Sequence, residues 1–178
     1  AQQVQQIHQE LTEADWQDGA HSAGTQASAV KHNQQLPTTL AIYPALSDQI
    51  LDALHQHPLF QSAALPKQLR PVLFNRYEQH GHYGNHVDNA LQRLPLTGQS
   101  IRTDLSMTVF LSAPTDYQGG ELVIEDLYGV HEVKLEAGDA ILYPSTSLHR
   151  VEPVTAGQRL AAVTWLQSLV KDNWQRDM

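Results

Sequence analysis

The chain has 178 residues, with 19 acidic against 11 basic side chains, a formal net charge of −8, ten histidines and no cysteine. A domain of this length buries a core without staples, and the missing thiols exclude disulfide frameworks, thiolate zinc sites, iron–sulfur clusters and cysteine nucleophiles. The acidic balance without a basic run argues against nucleic acid, no apolar stretch nears the ~20 residues of a membrane span, and the N-terminus carries no export signal, so a soluble cytoplasmic protein is expected.

Val4, Ile7 and Leu11 recur at helical spacing among glutamines and predict an amphipathic helix over Gln3–Thr12. Asp18 to Leu36 is rich in small and polar residues without periodicity, which predicts a long irregular connection, with one short strand around Trp16. Leu46, Ile50, Leu51 and Leu54 form the stripe of a second helix that ends before Pro58, with Ser47 as its N-cap.

Beyond Pro66, short runs of β-branched and aromatic residues alternate with Gly, Pro, Asp and Ser, the spacing of an all-β sandwich or barrel. Strands are predicted at Val72–Glu78, Asp104–Ser112, Glu121–Glu125, His131–Glu136, Ala140–Tyr143, Leu148–Val151 and Arg159–Leu169. Turn chemistry occurs at Gly119-Gly120, Tyr128-Gly129, Ala137-Gly138-Asp139 and Ala156-Gly157. In the second strand Leu105, Met107, Val109 and Leu111 share one face, opposite Ser106, Thr108 and Phe110, so one side is buried and the other looks into a partly polar space. Helices first and strands afterwards predict a mainly β fold with flanking α-helices, a single domain whose helical part at 1–66 packs outside the β part at 67–170. The absence of an initial Met reads as a trimmed fragment of a longer chain.

His8, His21, His32, His55 and His57 lie in polar surroundings and read as solvated, and His131 as a strand-surface residue. His80 and His82 flank Gly81, before Gly84, where a mobile loop near a substrate entrance is expected. His86 and Asp88 form a His-x-Asp pair whose side chains share a face if the backbone is extended, and His149 on a predicted strand adds a third ligand. Two histidines and one carboxylate make the facial triad of non-haem Fe(II) oxygenases, with three metal positions left open. Ten residues later Arg159 shares a strand face with Ala161, Val163, Trp165 and Gln167. A cation there needs an anion. Glu121 or Asp139 would make a structural salt bridge. A dicarboxylate chelating the metal through a 2-oxo acid end and reaching Arg159 with its far carboxylate would serve equally, and that molecule is 2-oxoglutarate. Trp165 is expected to pack in the barrel, while Asn89 and Arg102 either contact substrate or stabilise loops. A cupin-like divalent-metal enzyme and a non-catalytic iron or 2-oxoglutarate sensor are the competing readings.

Phe74-Asn75-Arg76-Tyr77, Tyr83-Gly84-Asn85-His86-Val87-Asp88, Gly119-Gly120-Glu121-Leu122, Gly138-Asp139, Pro144-Ser145 and His149 with Arg159 together form a specific set. From about Trp16 to Ser168 the chain resembles the bacterial PKHD-type hydroxylases, within the prolyl-4-hydroxylase-like group of Fe(II)/2-oxoglutarate dioxygenases. The resemblance implies a double-stranded β-helix (jelly-roll) core, Fe(II) held by the catalytic residues His86, Asp88 and His149, and 2-oxoglutarate bound by Arg159 and Tyr77. It implies O2 as cosubstrate, L-ascorbate as reductant, and a small-molecule or peptide substrate with a link to iron uptake. Family members extend before Ala1 and beyond Met178. Phe110 stands where animal prolyl hydroxylases offer a further Tyr. The oligomeric state stays open, a homodimer being one option.

Overall fold

The computed structural model of the chain describes residues 2–22, 29–94, 97–127, 129–172 and 175. The first helix, α1 (Gln2–Glu13), follows the glutamine-rich stripe and buries Ile7 and Leu11, and the Trp16 indole N–H donates to the Leu11 carbonyl at 3.0 Å. The second, α2 (Tyr43–Gln56), begins a turn before the residue expected to cap it, because Pro44 has no N–H to satisfy and fits the first helical turn. Ser47 is therefore not an N-cap. It is buried inside the helix, where its hydroxyl accepts the Val72 N–H at 3.2 Å. Pro58 ends α2 but also opens a third helix, α3 (Pro58–Ala64), capped by His57 Nδ1 accepting the Phe60 N–H at 3.3 Å.

In chain order the strands are β1 (Gln17–Asp18), β2 (Lys31–His32), β3 (Gln34–Gln35), β4 (Pro66–Leu69), β5 (Leu73–Tyr77), β6 (His82–His86), β7 (Leu91–Arg93) and β8 (Ser100–Arg102). They continue with β9 (Leu105–Phe110), β10 (Tyr117–Gly119), β11 (Leu122–Asp126), β12 (Gly129–Val133), β13 (Ala140–Pro144), β14 (Leu148–Val151), β15 (Val154–Gly157) and β16 (Arg159–Ser168). All seven anticipated strands are present. The segment read as an irregular connection supplies β2 and β3, and the strand expected around Trp16 begins at Gln17. The segment around Gly81 and Gly84, expected as a loop, is largely strand β6. Residues 23–28, Tyr128 of the expected turn, and the His21 side chain lie outside the described residues.

Two antiparallel sheets face one another. The larger runs β1-β3-β5-β16-β9-β13, with β4 also paired to β16; the smaller runs β12-β11-β14-β6-β2. Leu105, Met107, Val109 and Leu111 of the larger sheet join Leu160, Ala162 and Leu166 in one buried cluster with Ile7, Leu11, Leu46, Ile50 and Leu54 of the helices. The helices thus cover the outer face of the larger sheet, as layer packing requires. Between the sheets a second cluster contains Tyr77, Phe110, Tyr117, Leu122, Ile124, Tyr143, Val151 and Val154. The result is mainly β with flanking helices, a double-stranded β-helix. No helix among the described residues is long and apolar enough to cross a membrane.

Candidate active site

His86 ends β6 and His149 lies on β14, and the two are register partners across the smaller sheet. In each the imidazole Nδ1 faces the carbonyl two residues earlier, His86 to Gly84 at 2.8 Å and His149 to Ser147 at 3.0 Å. A carbonyl only accepts, so Nδ1 donates in both rings and each Nε2 is the nitrogen left to face inward. Neighbouring rings fix the planes: Tyr83 stacks on His86 with centroids 3.6 Å apart, and Tyr143 meets His149 edge-on at 5.1 Å. Burial, then the adjacent His149, push the His86 imidazole down to about 4, so it is neutral and available as a ligand at pH 7.

Asp88 stands just beyond β6. Its Oδ1 is 3.9 Å from His86 Nε2 and its Oδ2 is 3.7 Å from His149 Nε2. Ligand atoms of these three side chains all lie within 4.8 Å of one another, the only such group among the described residues. Oδ2 also accepts the Ser106 hydroxyl at 2.6 Å, and Ser106 Oγ is 2.8 Å from Ser145 Oγ.

His86, Asp88, His149 and Ser106 line a cavity of about 70 Å³ between the sheets, and Tyr77, Arg159 and Trp165 line it too. Arg159 is 2% exposed and has no ion pair among the described residues; its Nε and Nη2 lack hydrogen-bond partners. Its guanidinium carbon sits 5.2 Å from the Tyr77 ring centre and 5.3 Å from that of Phe110. The structural salt bridge considered for Arg159 is absent, since Glu121 meets Lys134 at 3.7 Å instead. The buried Tyr117 hydroxyl meets no partner at full hydrogen-bond geometry; burial raises its phenol, and the adjacent Arg159 opposes the shift by its charge and by a side-chain hydrogen bond. Gly120, at φ +69°, makes room for this pair: a Cβ there would lie 3.0 Å from Tyr117 Cε2 and 3.1 Å from Arg159 Cδ.

The structure brings together every candidate site residue: His86, Asp88, His149, Arg159 and Tyr77 line one cavity. Trp165, expected as packing, lines it as well, with an indole N–H that has no partner. Asn89 lines the cavity, whereas Arg102 pairs with Asp104 through Nη2 to Oδ2 at 2.8 Å and stabilises a loop. His82 instead meets the His32 ring at a tilt of 40°, centroids 4.7 Å apart, and is not part of the His86, Asp88 and His149 group. Sequence reading missed Ser106, Ser145, Tyr117 and Lys31. Lys31 is paired in register with Tyr83, its Nζ 5.4 Å from that ring, and lines the same cavity. The polar face of β9 was the available signal for Ser106; nothing local marks the others.

Residues 72–167 match the family described as the 2OG-Fe(II) oxygenase superfamily. A PKHD-type hydroxylase of Hyphomonas neptunium is 57% identical over 99% of this chain and 78% of its own length. Among solved structures, a Pseudomonas putida prolyl-4-hydroxylase superposes with TM-score 0.63 at 20% identity, covering 93% of this chain and 84% of that one. HygX from Streptomyces hygroscopicus, determined with nickel and 2-oxoglutarate bound, gives TM-score 0.59 at 16% identity over 95% of this chain and 80% of that one. The two structures share the fold, and the sequence relationship carries the family: the chain belongs to the PKHD-type hydroxylases of the 2OG-Fe(II) oxygenase superfamily.

Proposed function

We propose that the protein is an Fe(II)- and 2-oxoglutarate-dependent dioxygenase that hydroxylates a small-molecule or peptide substrate, with His86, Asp88 and His149 holding the metal and Arg159 and Tyr77 holding the cosubstrate. The observation that carries this reading is the buried Arg159, whose Nε and Nη2 have no partner, in the cavity that also contains the triad. A guanidinium without an ion pair among the described residues is costly at that depth unless a ligand brings the anion, and a dicarboxylate reaching from the triad to Arg159 would do so. The donor set fits as well: two imidazoles and a carboxylate suit Fe(II) and leave positions for a chelating cosubstrate.

When bound, Fe(II) and 2-oxoglutarate supply O2 activation coupled to decarboxylation, giving succinate, CO2 and a hydroxylated product. The protein's own part is to orient and to exclude. The Gly84 and Ser147 carbonyls aim the two imidazoles. Arg159, with the Tyr77 ring packed against its guanidinium, would hold the distal carboxylate, and the Tyr117 hydroxyl is placed to assist it. Tyr117 takes the part that a tyrosine at the Phe110 position would play. Ascorbate as reductant, a connection to iron uptake and a cytoplasmic location belong to the same proposal and rest on the family resemblance.

The test is an anaerobic titration with Fe(II) and 2-oxoglutarate, read by the weak visible charge-transfer absorption and then, on admitting O2, by succinate release. Arg159→Ala is expected to weaken 2-oxoglutarate about 100-fold, the loss of a charge-assisted bidentate contact, and to leave metal affinity nearly unchanged. Absence of both absorption and succinate in the unaltered protein refutes the reading. Metal binding that is indifferent to 2-oxoglutarate marks a sensor instead.

A further inference from the structure

Asp88 reaches the cavity from the segment after β6 of the smaller sheet, whereas Ser106 belongs to β9 of the larger sheet. Ser106 lies opposite Tyr143 of β13 and Trp165 of β16, and Ser145 follows directly on β13. The hydrogen bond from Ser106 to Asp88 Oδ2 therefore ties the ligand-bearing segment to the opposite layer. Both hydroxyls are buried, at 2% and 2% exposed, so no solvent competes for them. An ionised carboxylate only accepts, so Ser106 spends its single hydrogen on Asp88, and its oxygen is left to accept from Ser145. Ser145 is itself held by its backbone N–H to the Asp104 carbonyl at 3.2 Å. The direction of the chain is fixed: Ser145 to Ser106 to Asp88. Each link strengthens the next, and the last is charge-assisted.

A facial triad leaves three metal positions only while each ligand contributes one atom. A carboxylate free to rotate can use both oxygens and fill a fourth position. We propose that the Ser145–Ser106 hydroxyl pair holds Asp88 to one-oxygen ligation and so sets how many metal positions are open to 2-oxoglutarate and O2. This rests on the assignment of His86, Asp88 and His149 as the metal ligands. Ser106 and Ser145 are positioning residues that act through Asp88.

The test compares the unaltered protein with Ser106→Ala, Ser106→Thr and Ser145→Ala, each checked for cooperative thermal unfolding. Two readouts are taken: Co(II) titration followed by its visible ligand-field spectrum, which reports coordination number, and 2-oxoglutarate affinity of the Co(II)-loaded protein. Ser106→Ala is expected to keep Co(II) affinity within about threefold, to shift the spectrum toward higher coordination, and to bind 2-oxoglutarate at least about tenfold more weakly. Ser106→Thr, which keeps the hydroxyl, restores both readouts, and Ser145→Ala falls between. An unchanged spectrum with unchanged 2-oxoglutarate affinity in Ser106→Ala overturns the proposal. So does an equal loss of Co(II) and 2-oxoglutarate binding, which would make Ser106 a structural support. If the unaltered protein binds Co(II) but not 2-oxoglutarate, the dioxygenase reading fails; if it binds no metal, the triad assignment fails. Either outcome takes the proposal with it, and both are separable from a failure confined to the variants.

Discussion

Two cations line the cavity in different circumstances. Arg159 carries its guanidinium between two aromatic rings, and its environment must accommodate it. Lys31 can lose its proton, and burial, opposed by Asp18 and Asp88, lowers its ammonium to about 8 from an ordinary value near 10.5. Between those two values the unfolded chain binds more protons at this site than the folded one, so the Lys31 contribution makes stability rise with pH. Below pH 8 the unfavourable charged form is fully present. Lys31→Met should therefore raise stability at pH 7 by on the order of 2 kcal/mol and flatten the rise between pH 8 and 10.5. Urea unfolding of both proteins at a series of pH values checks this; parallel curves would show that the Lys31 charge is not held at a cost. The comparison must be made as a difference, because buried Tyr77 and Tyr143 and half-buried Tyr83, all raised by burial, titrate in the opposite sense at higher pH.

Among the elements, α2 is joined to the larger sheet by more than apolar contact. Tyr43 donates its hydroxyl to the Val72 carbonyl at 2.8 Å and Ser47 accepts the Val72 N–H at 3.2 Å, so one residue before β5 has both backbone groups satisfied by the helix. Ser47→Ala leaves that N–H buried and unpaired and should cost about 1–2 kcal/mol, seen as a lower urea midpoint at unchanged slope, with 2-oxoglutarate affinity unaffected. A surface cap at Ser47 would have given a loss of similar size, so the discriminating measurement is amide exchange at Val72, which accelerates only if the helix-to-sheet bond exists. The apolar runs of β5, β9, β11, β14 and β16 were legible because each alternates or is buried on both faces over most of its length. Polar strands such as β2 and β3 carry no such period; they exist because a longer neighbour offers its edge, a tertiary cause that no local pattern records. The same holds in the site. His86, Asp88, His149 and Arg159 announce themselves by chemistry, whereas Ser106 and Ser145 are ordinary serines until β9 and β13 are laid side by side.

For the whole molecule, the two clusters differ in what surrounds them. The larger one, shared by helices and sheet, contains no site residue, and the smaller one borders the cavity. The ligand imidazoles are aimed by their own strands, so the metal is not needed to assemble them. Stripping metal with a chelator should leave far-UV circular dichroism and cooperative unfolding intact, while added Mn(II) raises the melting temperature only by mass action, about 5–10 °C at about 100-fold excess over Kd. Collapse of the dichroism on chelation would place this protein with domains that fold around their metal.

The two ends of the cavity are also unequally anchored. Strand β16 is ten residues long, paired with β4 and β5 on one side and β9 on the other, with Ser168 Oγ bound to the Ala64 carbonyl at 2.8 Å at its far end. Strand β6 is held on one flank by the two-residue β2 and on the other by a register that slips between His149 and Val151. Fluctuations that open the edge at β2 and β6 free His86 and leave Arg159 in a segment that breaks only with the whole fold. A metal held by the triad would then exchange through local opening at β6, with the arginine end keeping its shape, so chelation should be faster than global unfolding.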